Sequence, residues 1–209
     1  MFNFDLTSML YTLPAVLIAL TFHEVAHGWV AYRLGDDTAK LSGRLTLNPL
    51  AHLDLVGFLM MVFASFGWAK PVPVNPMNLR GNRKTGMLMV ALAGPLTNLF
   101  LAYLTALVIR VIQEGWIPYN PYFFTFFSLF FTINIILASF NLIPLPPLDG
   151  SKILAGLLPY RFSRYIYELE RYSMIILIIL LFTGALRYIY LPVAQGLSSL
   201  IMNLTGIYY

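Results

Sequence analysis

The chain has 209 residues, of which 59% are hydrophobic and only 11% charged, against about a quarter in ordinary soluble domains. One soluble core cannot absorb that much apolar surface, and no separate soluble domain of ordinary size fits between the apolar runs. The formal net charge of +4 sits in short loops beside those runs, where it reads as a topology determinant and not as a nucleic-acid surface, and there is no cysteine to form disulfides or thiolate ligands.

The first apolar run, residues 8–34, is long enough to span a bilayer and tolerates its single Pro14 as a kink. Its C-terminal half carries His23-Glu24-Val25-Ala26-His27. On a helix, positions i and i+4 share a face, so His23 and His27 can bind one metal ion, with Glu24 beside them to act on a water. The plainer alternative is a pair of satisfied core histidines. Against it, ionisable groups inside an apolar span are costly and default to function. Gly35-Asp36-Asp37 ends the run. From Thr38 to Asp54, Leu41, Gly43, Leu45 and Leu47 alternate with Ser42, Arg44 and Thr46, which predicts a short strand or hairpin at the membrane face.

Residues 55–76 begin with an apolar stretch too short for a span and continue into Pro71, Pro73 and Pro76, which favour extended backbone. A re-entrant or interfacial segment is expected. Residues 86–112 form the second span, with Ala93-Gly94-Pro95 and Asn98 as small and polar groups that let helices approach closely or face a cavity. The third span, 122–142, carries Asn134 and Asn141 on one face, pointing inward. It runs into Asn141-Leu142-Ile143-Pro144-Leu145-Pro146-Pro147-Leu148-Asp149-Gly150. Here Asp149 is either the N-cap of a short helix from Ser151 or a carboxylate delivered to the metal site. A polar loop over 159–171, a last span over 172–190 and an interfacial tail complete the layout.

Charge counting favours four spans with 55–68 not crossing, because that layout gathers Arg33, Lys40, Arg44, Lys70, Arg80, Arg83, Lys84, Lys152, Arg161, Arg164 and Arg171 on the cytoplasmic side. It also puts the metal motif and Asp149 nearer that side. The expected fold is thus an all-α multi-pass membrane protein in one unit: three helices around a site, a C-terminal span, and a short re-entrant or hairpin region. Catalytic zinc typically takes three protein ligands and keeps one position open. His23, His27 and Asp149 can supply three ligands, Glu24 can carry a proton, and Asn141 can donate to a developing oxyanion.

In these residues the chain resembles the site-2 protease family of intramembrane zinc metalloproteases. The resemblance rests on His23 to His27, on Ala93-Gly94-Pro95 with Asn98, and on Asn141 through Pro147-Leu148-Asp149-Gly150, and covers roughly the first 155 residues. It implies a multi-pass cell-membrane endopeptidase that cleaves transmembrane-protein substrates, with one zinc per chain on His23, His27 and Asp149. Glu24 and Asn141 would be catalytic, and residues 68–75 would form a strand region that holds unwound substrate. The chain looks like a compact branch without a PDZ domain. Asn98, Asn134, His52 and Asp54 remain candidates for contacting substrate or steadying the ligands, the last two against the simpler reading of an interfacial loop with a capping aspartate. A catalytically inactive binding module and a metal-dependent transporter are the alternatives. The sequence leaves the oligomeric state and the substrate's identity open.

Overall fold

A computed structural model of the chain describes residues 6–64 and 67–207. It is an all-α multi-pass membrane fold with eight α-helices among the described residues: α1 Leu6–Arg33, α2 Thr38–Leu41, α3 Leu55–Ala64, α4 Arg83–Gln113, α5 Pro121–Asn141, α6 Asp149–Leu157, α7 Tyr160–Phe182 and α8 Ala185–Thr205. Helices α1, α4 and α5 are long and apolar enough to cross a membrane. The starts of α4 and α5 are set by local chemistry. Asn82 accepts from the Lys84 and Thr85 N–H groups, and Asn120 from those of Tyr122 and Phe123, with Pro121 at the first helical position.

Helix α4 is the central element and packs on α1, α5, α6 and α8. Its inward stripe runs Ala91, Gly94, Asn98, Ala102, Ala106 and Ile109, all buried and spaced by three or four residues. Such small side chains let backbones close on one another where lipid offers no hydrophobic drive between helices. Ala15 and Ala19 on α1 play the same part against Phe130 of α5. The outward side of α4 carries Met89, Leu96, Phe100 and Leu104, which are exposed on the protein and suit a lipid surface.

Two expectations fail. The alternating stretch 38–54 is not a hairpin. It folds as α2 and a 3₁₀ turn over Pro49–His52, and among the described residues its one β contact is an isolated antiparallel bridge between Leu53 and Ala69. The alternation does not track burial: Leu41 and Leu47 are exposed, while the polar Arg44 is the buried member. The last span is not continuous over 172–190 either. The chain is already helical from Tyr160, stops at Thr183–Gly184, and resumes as α8 at 84° to the preceding segment.

The proline-rich segment lies alongside α1 in extended form. The Lys70 N–H donates to the His52 carbonyl at 2.8 Å, Arg44 donates to the Lys70 carbonyl, and the Asn75 N–H donates to Asp36 Oδ2 at 2.7 Å.

Candidate metal centre and active site

Three elements converge on one point. Helix α1 carries His23 and His27 one turn apart, α4 passes beneath them, and the loop after α5 delivers Asp149 at the start of α6. Asp149 Oδ2 lies 3.2 Å from His23 Nε2 and 3.0 Å from His27 Nε2, and the two Nε2 atoms are 3.0 Å apart. All three residues are buried. The N-cap position of α6 is Leu148 and Asp149 already lies inside the helix, which resolves the two readings of that residue in favour of a carboxylate turned toward the histidines.

The protonation pattern of the cluster follows from its surroundings. His27 Nδ1 is 2.7 Å from the Val90 carbonyl, which can only accept, so Nδ1 carries the hydrogen. His23 Nδ1 is 2.6 Å from Asn98 Oδ1. The Asn98 Nδ2 donates to Asn134 Oδ1 at 2.9 Å and to the Ala19 carbonyl at 3.3 Å, so its Oδ1 must accept from His23. In neutral imidazoles both Nε2 atoms are then bare, and they face each other and a carboxylate oxygen that has no hydrogen-bond partner. Three lone-pair donors about 3 Å apart with no proton between them repel unless a cation sits among them.

The backbone beneath is shaped for the same purpose. A Cβ on Gly94 would lie 2.4 Å from His27 Nε2 and 2.7 Å from His23 Nε2, so α4 approaches both rings only because residue 94 has no side chain. Gly150 is constrained in the same way. A Cβ there would sit 2.3 Å from the Ile143 carbonyl oxygen and 2.4 Å from that of Leu142, backbone atoms that cannot give way. The tight return of the chain around Ile143–Leu148, through a cis Pro146–Pro147 peptide, leaves room for nothing larger after Asp149. Two nitrogen donors, one carboxylate and a snug cradle fit a zinc ion.

Beside the cluster lies a cavity of about 320 Å³ whose walls include Glu24, Val72, Val74, Asn141 and Lys152. Glu24 Oε2 accepts the Val72 N–H at 2.8 Å. Asn141 Nδ2 donates one hydrogen to the Leu137 carbonyl at 3.0 Å. Lys152 places Nζ 4.0 Å from Asp149 Oδ1.

The remaining candidates divide. Asn98 and Asn134, each 0% exposed, form a relay from the His23 ring to the Phe130 carbonyl; they steady a ring and do not line the cavity. His52 and Asp54 do not reach the cluster. The His52 ring Nε2 donates to the Thr46 carbonyl at 2.8 Å, and Asp54 Oδ1 accepts the Gly57 N–H at 2.8 Å at the start of α3, so the capping reading holds for Asp54. Three contributors escaped sequence reasoning, the Val90 carbonyl, the Val72 amide and Lys152, while Gly94 was read as a close-approach residue without its place under the histidines.

Farther out, Asp36 anchors the proline-rich wall. Its carboxylate accepts from the Thr38 and Asn75 N–H groups, the Thr38 hydroxyl and Asn78 Nδ2. Burial alone would raise its pKa, but these donors outweigh it and hold the group below the usual aspartate value.

Comparison with known proteins supports the same reading. Residues 118–184 match the model of "Peptidase family M50". The chain is 38% identical over 205 residues to "Putative zinc metalloprotease YwhC" of Bacillus subtilis, covering 96% of this chain and 93% of that protein. It is 31% identical over 157 residues to "Putative zinc metalloprotease MJ0611" of Methanocaldococcus jannaschii, covering 73% of each. With "Putative zinc metalloprotease Rip2" of Mycolicibacterium smegmatis it shares 28% identity over 174 residues, 82% of this chain and 66% of the other. No solved structure matches the chain. On the strength of near full-length similarity, this chain belongs to peptidase family M50, the site-2 protease family.

Proposed function

We propose that the chain is a zinc-dependent endopeptidase of the cell membrane that hydrolyses peptide bonds in or near the transmembrane segments of other proteins. The observation that carries this is the buried triangle of two bare histidine nitrogens and an unpartnered carboxylate oxygen, set in apolar helices and opening on a cavity with Glu24. His23 Nε2, His27 Nε2 and Asp149 Oδ2 would hold one zinc per chain. When bound, the ion supplies Lewis-acid chemistry that polarises a carbonyl and acidifies a water.

The protein's own groups do the rest. Glu24 keeps Oε2 on the Val72 amide, which fixes the carboxylate and leaves Oε1 to take a proton from the attacking water. The same oxygen then returns the proton to the departing amine. Asn141 spends one amide hydrogen on its own helix and has the second to donate to the oxyanion.

Residues 69–75 supply the substrate platform. Pro71 and Pro73 remove two amides, while the Val72 carbonyl and Val74 N–H have no hydrogen-bond partner among the described residues. In an extended chain these groups share one edge, and Val72 and Val74 line the cavity. A substrate segment added as a strand would pair there, with its helix locally unwound so that the scissile amide is accessible. The basic residues of the loops support a cytoplasmic orientation for this side, in contact with anionic lipid.

The test is Glu24→Gln in the reconstituted protein, followed by proteomics of the membrane fraction against wild type. Zinc content should be retained while cleavage products vanish, a loss of about 100-fold or more for a proton-transfer group. A variant that still cleaves at the wild-type rate would refute the assignment, as would a wild-type protein without any protease-dependent fragments.

A further inference from the structure

A second cavity, of about 500 Å³, adjoins the first and shares Met87, Pro147 and Lys152 with it. Its polar lining is unbalanced: Arg83 and Lys84 from the start of α4 and Lys152 from α6 face, among the described residues, a single carboxylate, Glu170 of α7. Lys84 is committed to the Leu158 carbonyl and to the face of Tyr160, 5.0 Å from the ring centre, neither of which neutralises it. Arg83 has no hydrogen bond or ion pair among the described residues, and Glu170 has no ion pair there either. Lys152 stands at the junction, 4.0 Å from Asp149 Oδ1 and on the walls of both cavities. The chain thus presents a basic chamber within one side-chain length of the proposed reacting centre, with its guanidinium unspent.

We propose that this chamber is a specificity subsite that takes an acidic side chain of the substrate polypeptide, with Arg83 and Lys152 as its carboxylate-binding groups. The proposal rests on the endopeptidase reading above and names the sequence feature that such a substrate carries. A cavity of this volume is roughly 10 Å across, the length of about three extended residues, so the acidic residue lies within about three positions of the cut bond. A peptide is favoured over a lipid headgroup as the occupant because the chamber is continuous with the cavity that holds Glu24. A chamber of one dominant sign focuses its field on an incoming opposite charge, and a free guanidinium can bind a carboxylate through two parallel bonds.

The probes are neutral-dye-labelled extended decapeptides with a central apolar pair and either Glu or Gln at each of the three flanking positions on either side. Binding to the full-length Glu24→Gln protein in micelles should favour Glu at one position by about tenfold, and the preference should shrink with added salt. Arg83→Glu should invert that preference toward a Lys-bearing peptide, Arg83→Gln should abolish it, and Lys152→Gln should weaken it. All variants are checked for retained zinc and for monodispersity. Equal binding of Glu and Gln peptides, or an unchanged preference in both Arg83 variants, overturns the subsite. So does native mass spectrometry in which Arg83→Gln sheds bound phosphatidylglycerol while the peptide preference stays intact, since the chamber then holds lipid. If wild type cuts the library without charge preference, the subsite fails and the endopeptidase stands. If the Glu preference is present in binding but wild type cuts no peptide or membrane protein, the chamber stands and the endopeptidase fails.

Discussion

Gly94→Ala tests the metal centre without touching a ligand. The added methyl would lie 2.4 Å from His27 Nε2, 2.5 Å from His23 Cε1 and 2.7 Å from His23 Nε2, where real contacts do not fall below 3.0 Å. Both rings must therefore retreat by about half an ångström or tilt. They are not free to do so, because Nδ1 of each is fixed at 2.6 and 2.7 Å by Asn98 and the Val90 carbonyl. Stretching either bond forfeits about 1 kcal/mol, and splaying the triangle costs more in the loaded state than in the empty one. Zinc affinity should fall by about 10- to 100-fold, equivalent to about 1.4–2.8 kcal/mol. Overall stability should change far less, because alanine regains about 1 kcal/mol of helix propensity that glycine sacrifices inside α4. The assay is zinc retention across a chelator titration, read by elemental analysis, alongside metal-free thermal melting. If Gly94→Ala holds zinc at the same chelator concentration as wild type, the rings are not confined as described and the cradle reasoning is wrong.

Changing His23, His27 or Asp149 to Ala should each remove bound zinc in the same elemental analysis, and zinc content that survives all three would sink the ligand assignment. Asn98→Ala should weaken zinc by about 10- to 100-fold while leaving the ligands in place, since the His23 Nδ1–H loses the acceptor that fixes its tautomer. Asn98→Asp, which keeps an acceptor there, should retain more metal than Asn98→Ala. Asp36→Asn should loosen the wall opposite Glu24, because the amide cannot accept from all of Thr38, Asn75 and Asn78. Hydrogen exchange over residues 70–80 should rise by about tenfold or more. Its pH dependence has a definite sign. The folded pKa lies below the unfolded value of about 3.9, so the contribution of Asp36 is complete above that value and is lost as the pH drops through the lower folded pKa. The gap between wild type and Asp36→Asn should therefore be flat from pH 5 to 8 and close only in stronger acid. A gap that closes near neutrality would assign the effect to another group.

The parts of this structure that periodicity governs were readable in the sequence. The i, i+4 histidines needed only a helix, and a long apolar run supplies one. Asn98 and Asn134 were readable as inward-facing for the same reason, because an amide on a membrane helix cannot face lipid without cost. What stayed hidden depends on distances between segments remote in the chain. No local pattern shows that the Val90 carbonyl fixes the His27 ring, or that the amide of Val72 holds Glu24 across 48 positions. The 38–54 region misled because its apolar residues alternate without being buried: Leu41 and Leu47 are exposed, Arg44 is buried, and the segment folds as a short helix and a 3₁₀ turn. The break at Gly184 misled because hydropathy continues through it unbroken, while the helix axis does not.

Asp149 shows how the two kinds of information combine. Its type and its place after a proline-rich helix end made it eligible as a ligand, yet an N-cap would carry the same signature. The choice between them is made by the residue after it. A capping aspartate stands just before its helix, whereas here Leu148 holds that position and Asp149 is the first helical residue. Gly150 is instead pressed against the carbonyls of Leu142 and Ile143, closer than any side chain allows, so the start of α6 is pulled in toward the end of α5. That contact brings a carboxylate to α1, and the carboxylate oxygen then lies buried and unpartnered between two bare nitrogens. A folded protein keeps such an arrangement only where something positively charged completes it. The glycine after Asp149 and the glycine under the histidines therefore serve one end from opposite sides. Each removes a side chain so that three lone pairs can meet.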